Sequence, residues 1–152
     1  MKGKNVSESE TVLSSVMMPT DANHYGSVHG GTILKLVDEA AFVAATKHAC
    51  KNVLLASMDQ IVFDHPVNIG DLLTIKARLC YVGKTSMEVE VEILTERLKK
   101  GTVLNVGSAF LTMVAVNEER KSVSVPRLIL KTSGEKLKSK QAFNRRKRRL
   151  SK

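Results

Sequence analysis

The chain has 152 residues, 43% of them apolar and 26% charged, which suits one domain with a real core. No run of 18 apolar residues occurs, which excludes a helical membrane span. The formal charge of +9 is concentrated: residues 1–130 hold 14 basic and 14 acidic side chains, whereas residues 131–152 hold ten basic ones and a single acid, Glu135.

After Met1 to Lys4 the N-terminus is polar and lacks the apolar stretch of a secretory leader, so a cytoplasmic location is expected. Cys50 and Cys80 show no CxxC spacing, and the four histidines are scattered. Neither a disulfide nor a metal site is expected.

Residues 11–18 read as a strand ended by Pro19. Asp21 to Gly26 is turn chemistry, with Asp and Asn side chains that bond their own backbone and a glycine that allows positive φ. His29-Gly30-Gly31-Thr32 leads into a predicted helix over 30–49. Ile33, Leu34, Leu36, Val37, Ala40, Ala41, Phe42, Val43, Ala44 and Ala45 cover nearly every face, the pattern of a buried helix. Residues 53–63, 72–82, 86–94 and 103–116 read as strands. In the third of these, Met87, Val89, Val91 and Ile93 alternate with Glu88, Glu90 and Glu92, which predicts a half-solvated antiparallel strand. Gly83-Lys84-Thr85 makes a hairpin turn before it. One helix and five strands in this order predict an α+β domain over 8–130, an antiparallel sheet wrapped around one central helix. The basic segment 131–152, with Arg145-Arg146-Lys147-Arg148-Arg149, reads as a disordered, solvated extension. Nucleic-acid binding through it is the lesser alternative.

Asp38 and Glu39 stand in the middle of the apolar helix, about 100° apart around its axis. Burying an unpaired carboxylate costs several kcal/mol, so such a group has a partner or a chemical task. The plain alternative is that both reach solvent or pair with Lys35 or Lys47. At the helix start, Gly30 and Gly31 leave the first N–H groups uncovered, where developing negative charge is favoured. The plain alternative there is tight helix–sheet packing. Asp38 lies about 11 Å along the helix from these glycines. It cannot serve a compact ligand held at its own helix start. A homodimer that pairs two such helices antiparallel would bring Asp38 of one copy to the glycines of the other.

The stretch Pro19-Thr20-Asp21-Ala22-Asn23-His24-Tyr25-Gly26-Ser27-Val28-His29-Gly30-Gly31, continuing to Asp38-Glu39-Ala40-Ala41, resembles the hotdog-fold cytosolic acyl-CoA thioesterases. Val62 to Asp71 and Val82 to Ser86 are similar to two further blocks of that family. The resemblance covers about residues 8–130 and implies a hotdog fold. It also implies a dimer assembled further into a hexamer, and hydrolysis of acyl-CoA to a free acid and CoA. No cofactor is implied, since CoA belongs to substrate and product. On this resemblance Asp38 is general base or nucleophile, Asn23 orients water or the thioester, and the helix start at Gly30 and Gly31 holds the carbonyl oxygen. His29 is a candidate for positioning substrate. Gly83, Lys84, Thr85, Ser86 and Arg127 are candidates for the CoA phosphates. The alternatives are dehydration of a hydroxyacyl thioester, using His29 and Asp38, and a non-catalytic acyl-CoA-binding protein whose tail binds nucleic acid.

Overall fold

The computed structural model describes residues 1–59 and 61–152. Strand β1 (Lys4–Asn5) is followed by β2 (Thr11–Val16), helix α1 (Gly30–Ala49), β3 (Asn52–Met58), β4 (Leu72–Val82), β5 (Ser86–Arg97), β6 (Thr102–Val116), β7 (Leu128–Ile129) and helix α2 (Ser133–Leu150). Five strands form one antiparallel sheet in the order β2-β4-β5-β6-β3. The first strand therefore pairs across the helix, with β4, as its separation in sequence requires. The short β1 pairs in parallel with β7.

Helix α1 lies across one face of this sheet and touches all five strands. Ile33, Val37, Ala40, Ala41, Ala44, Ala45, His48 and Ala49 are its buried side. They pack on Leu73, Ile75, Ala77 and Leu79 of β4, Met87, Val89, Val91 and Ile93 of β5, and Ala109, Leu111, Met113 and Ala115 of β6. The alanines let the helix sit close to the pleat. The expected all-round burial is not found: Gly31, Lys35, Glu39 and Phe42 are exposed, and Phe42 keeps 46% of its surface. A single sheet covers one side of a helix only.

At the far end of α1, His48 is fully buried and its Nε2 lies 2.7 Å from the Pro126 carbonyl. Burial pushes its pKa below the ordinary histidine value. Lys51 donates to the Ser124 carbonyl at 2.6 Å. These bonds fix the returning segment that carries Arg127. No helix among the described residues is long and apolar enough to cross a membrane. Cys50 and Cys80 are free thiols.

Further sequence expectations need correction. Strand β3 stops at Met58 rather than running to residue 63. Its ladder with β6 already shifts register between Leu55 and Ser57. Segment 131–152, expected to be disordered, is helix α2 over most of its length. Its start is built as a cap: Thr132 Oγ1 accepts the Glu135 N–H at 3.0 Å, and Glu135 Oε1 accepts the Lys131 N–H at 2.8 Å. The helix then lays Lys138, Ala142 and Arg145, spaced four and three apart, on the outer face of the sheet. The glutamate row of β5, expected to face water, meets them there. Lys138 Nζ sits 2.8 Å from both Glu90 carboxylate oxygens, and the Arg145 guanidinium 2.6 Å from Glu88 Oε1. Arg145 also stacks 3.7 Å above the Phe110 ring.

Glu88 is 3% exposed, and burial raises its carboxyl pKa above the ordinary glutamate value, with Arg145 pulling it back down. Its Oε2 has no hydrogen-bond partner among the described residues. The sign for stability follows from proton binding. In the window between the ordinary value and Glu88's own higher value, the folded chain keeps a proton that the unfolded chain has lost. Stability therefore falls as pH rises through that window. Arg145→Met, which leaves Glu88 buried and unpaired, is expected to cost about 3–5 kcal/mol at neutral pH. It should also extend the fall to higher pH, because the arginine that pulls Glu88's pKa down is gone, whereas Glu88→Gln should flatten it. Urea titrations at a series of pH values check both. An Arg145→Met protein as stable as the parent would show that the pair does not hold α2.

Candidate active site

The start of α1 is built by the turn before it. Asn23 Oδ1 accepts the N–H groups of Tyr25 at 2.9 Å and Ser27 at 3.3 Å, and Asn23 Nδ2 donates to Ser27 Oγ at 3.0 Å. The backbone closes the same turn through Asn23 N–H to Ser27 O at 2.7 Å and His29 N–H to Asp21 O at 2.9 Å. Gly26, at φ +85°, lets the chain reverse. Val28 N–H bonds the Val67 carbonyl at 2.9 Å, which ties the turn to the approach to β4. Asn23 is thus the brace of the turn, and among the described residues one hydrogen of its amide has no acceptor.

His29 precedes the helix without capping it through its side chain. Among the described residues, no acceptor bonds the N–H of Gly30 or Gly31; the first internal bonds come from Thr32 and Ile33 to His29 O. A Cβ placed on Gly31 would meet nothing within 4 Å, and one on Gly30 only the edge of Phe63 at 3.6 Å. Neither glycine has positive φ. Tight packing against the sheet, the plain alternative for this pair, is therefore not its reason. The glycines leave a bare, donor-rich helix start that faces open space.

Asp38 is half-buried, and Glu39 is exposed. Neither forms an ion pair among the described residues, so of the plain alternative the pairing with Lys35 or Lys47 is absent, while Glu39 does reach solvent. Gly31, Lys35, Asp38 and Phe42 follow one another at helical spacing of four, three and four. They form the ridge of α1 that the sheet leaves open. Asp38 and the bare glycines therefore face the same side, about two turns apart.

The remaining candidates lie elsewhere. The Lys84 carbonyl accepts the Val125 N–H at 3.0 Å, and the Thr85 carbonyl the Ala115 N–H at 3.0 Å. This places the hairpin Gly83–Ser86 beside the end of β6, where β3 also starts and α1 ends. Arg127 is on the same side, next to β1. The Lys84 and Arg127 side chains are both exposed. One chain thus brings Asn23, His29, Gly30 and Gly31 together at one end of α1. It keeps Gly83, Lys84, Thr85, Ser86 and Arg127 at the other. A hollow of about 260 Å³ beneath the start of α2, lined by Arg78, Cys80, Glu135 and Lys138 among others, includes none of these residues.

The open ridge adjoins an open sheet edge. Among the described residues strand β3 bonds only β6, and Leu54 and Leu55 on it are 44% and 42% exposed. An apolar edge strand beside an uncovered helix ridge is a surface for pairing with a second chain.

Comparison with known proteins decides the family. The thioesterase superfamily model matches residues 25–102, which hold the glycine pair, Asp38 and the 83–86 hairpin. The chain belongs to the thioesterase superfamily. Among its relatives is protein VdlD of Helicobacter pylori, 36% identical over 138 residues, 91% of this chain and 79% of that one. A hexameric acyl-CoA thioesterase in its apo form superposes with a TM-score of 0.94 at 34% identity, over 99% of this chain and 97% of that one. The acyl-CoA hydrolase of Staphylococcus aureus, solved with butyryl coenzyme A and coenzyme A, gives 0.89 at 34% identity, over 97% of this chain and 90% of that one. Variants of that enzyme at an aspartate, an asparagine and a threonine were also solved. With 97–99% of the chain covered, the likeness to these structures takes in α2 as well as the superfamily core.

If the glycines serve no need of the fold, removing one should not harm it. Gly31→Ala is expected to fold normally and to gain up to about 1 kcal/mol from the better helix former. Thermal melts check this. A markedly lowered melting temperature would return Gly31 to a packing role.

Proposed function

We propose that this protein hydrolyses acyl-CoA thioesters to a free acid and CoA, at a site completed by a second copy of the chain. The observation that carries the proposal is the bare helix start at Gly30 and Gly31 on the same open ridge as Asp38. Two chains laid ridge to ridge and antiparallel bring Asp38 of one to the glycines of the other. The same pairing brings the mate's 83–86 hairpin and Arg127 toward that helix start. The candidates that a single chain keeps apart then converge. The hexameric relative and the apolar edge of β3 support self-association.

The chemistry follows from charge development. As water adds to the thioester carbon, its oxygen becomes an oxyanion. The N–H groups of Gly30 and Gly31 and the positive end of α1 point where that oxygen would lie, and one such donor can contribute about 3 kcal/mol. Asp38 takes the proton of the attacking water, or attacks the carbonyl itself to give an anhydride that water then opens. In either case the C–S bond breaks, CoA leaves as the thiolate and is protonated, and the acyl group departs as the acid. Asn23, through its remaining amide hydrogen, orients the water or the thioester. His29 flanks the helix start as a positioning group. Lys84 and Arg127, with the hydroxyls of Thr85 and Ser86 and the half-buried turn at Gly83, suit the CoA phosphates.

The variants of the Staphylococcus aureus enzyme support this assignment. Its altered asparagine and aspartate stand fifteen positions apart, as do Asn23 and Asp38 here. Its altered threonine stands seventeen positions past the aspartate, and the same count from Asp38 reaches Leu55, which has no hydroxyl. The polar chemistry of this chain therefore rests on Asn23 and Asp38. Relatives named as acyl-CoA hydrolases support hydrolysis over dehydration. A freely reaching nucleic-acid tail is disfavoured by the docking of α2 through Arg145 and Lys138. The cytoplasm suits a chain with two free thiols.

Thiol release from a panel of acyl-CoAs tests the proposal. Asp38→Asn is expected to lower kcat by about 10²–10⁴-fold while the melting temperature holds. Asn23→Ala should lower both, since it also unbraces the turn. Wild-type rates in Asp38→Asn would remove the proposed mechanism. Oxygen-18 from labelled water appearing in Asp38 after a single turnover would identify the anhydride route.

A further inference from the structure

Past the end of β3 the chain does not swing free of the sheet. The Asp59 N–H bonds the Phe110 carbonyl at 3.0 Å, and the Asp64 N–H bonds the Val106 carbonyl at 2.9 Å. Between these two attachments lies Gly107, buried in β6 opposite Ile93, where the β5–β6 register shifts. A Cβ on Gly107 would come within 2.6 Å of the Val62 carbonyl oxygen. That neighbour is main chain, and it has no rotamer by which to withdraw. The missing side chain at position 107 therefore sets how closely residues 61–64 lie against the sheet.

Phe63 follows Val62 directly. Its ring edge reaches the start of α1, 3.6 Å from where a Gly30 Cβ would be, and 42% of the residue remains exposed. A large apolar surface thus stands beside the two proposed oxyanion donors of the same chain. A group bound there through its carbonyl oxygen has only two substituents to lay on the ring, the acyl chain and the sulfur arm of CoA. The CoA arm carries amides that need hydrogen-bond partners, and a phenyl ring supplies none. The acyl chain is wholly apolar.

Building on the function proposed above, we infer that Phe63 is the wall of the acyl channel and determines chain-length specificity. Gly107 is the positioning residue that sets where the wall stands. The ring blocks or guides the carbons beyond the carbonyl, and a change in its size or position changes which chain fits. Phe63 takes no part in the bond-making steps.

The test measures kcat and KM for saturated acyl-CoAs from acetyl to palmitoyl, on the full-length wild type, Phe63→Ala, Phe63→Leu, Phe63→Trp and Gly107→Ala, with a melt of each. Phe63→Ala should move the optimum toward longer chains, changing kcat/KM at the old optimum by about tenfold or more. Phe63→Leu should restore most of the wild-type order, and Phe63→Trp should shorten the optimum. Gly107→Ala should shift the order too, without altering any residue at the site. If Gly107→Ala does not fold, the Phe63 series alone decides. A folded Phe63→Ala enzyme with the wild-type order of chain lengths overturns the inference. If no acyl-CoA is cleaved by the wild type, the functional reading fails separately. Calorimetric Kd values for the same acyl-CoAs then decide this one by the same criterion.

Discussion

A helix laid on a single sheet can hide only one of its sides, and much of this molecule is organised around the side left over. Ala40, Ala41, Ala44 and Ala45 draw α1 against the pleat, and this close seating turns Gly31, Lys35, Asp38 and Phe42 outward together. The sequence places a carboxylate and two bare backbone donors on that one ridge. Around it the supports are stiff. Asn23 braces the turn, and Asp71, 4% exposed, gathers Thr95 Oγ1 at 2.9 Å, Arg97 Nε at 3.1 Å and the Asn68 N–H at 2.9 Å near the start of β4. The helix start thus rests on hydrogen-bonded turns and one part-buried ion pair, and its open donors are held in place before any ligand arrives.

Most strands could be read from the sequence because their periodicity is local. Alternation in 72–82 and 86–94 reflects a sheet with an apolar inner face, and the order of elements dictates that β2 must pair at a distance. The helix limits over 30–49 were legible for the same reason. What was not legible depended on contacts far apart in the chain. The glutamates of β5 alternate as solvated residues do, and the tail has the composition of a solvated extension. Only their meeting makes Glu88–Arg145 and Glu90–Lys138, and neither segment announces the other. A charged helix with few apolar side chains would be marginal alone, and the sheet supplies what it lacks.

The site itself was partly visible. Asp38 stands out because a carboxylate amid alanines needs a reason, and the glycine pair stands out beside it. Counting residues along a helix was enough to show that the two could not meet within one chain. The open face of α1 was misjudged because hydrophobic residues all round a helix do not say how many layers cover it. A second chain on that side is an equally good reason for Phe42 and Leu36 to be apolar. Gly107 could not have been singled out, since a glycine in a strand has many explanations. Only the Val62 carbonyl beside it shows which one applies.

The placement of α2 also shapes the electric field of the molecule. Residues 1–130 balance their charges, so the surplus lies along one outer wall, reduced locally where Arg145 and Lys138 are neutralised. Lys136, Lys140, Lys147 and Arg148 remain exposed there. A diffusing anion therefore meets its strongest attraction on the wall that carries α2. That anisotropy extends only about 8–10 Å at physiological ionic strength. A pI of 9.7 describes how the whole chain titrates and says little about what an approaching solute encounters on any one side.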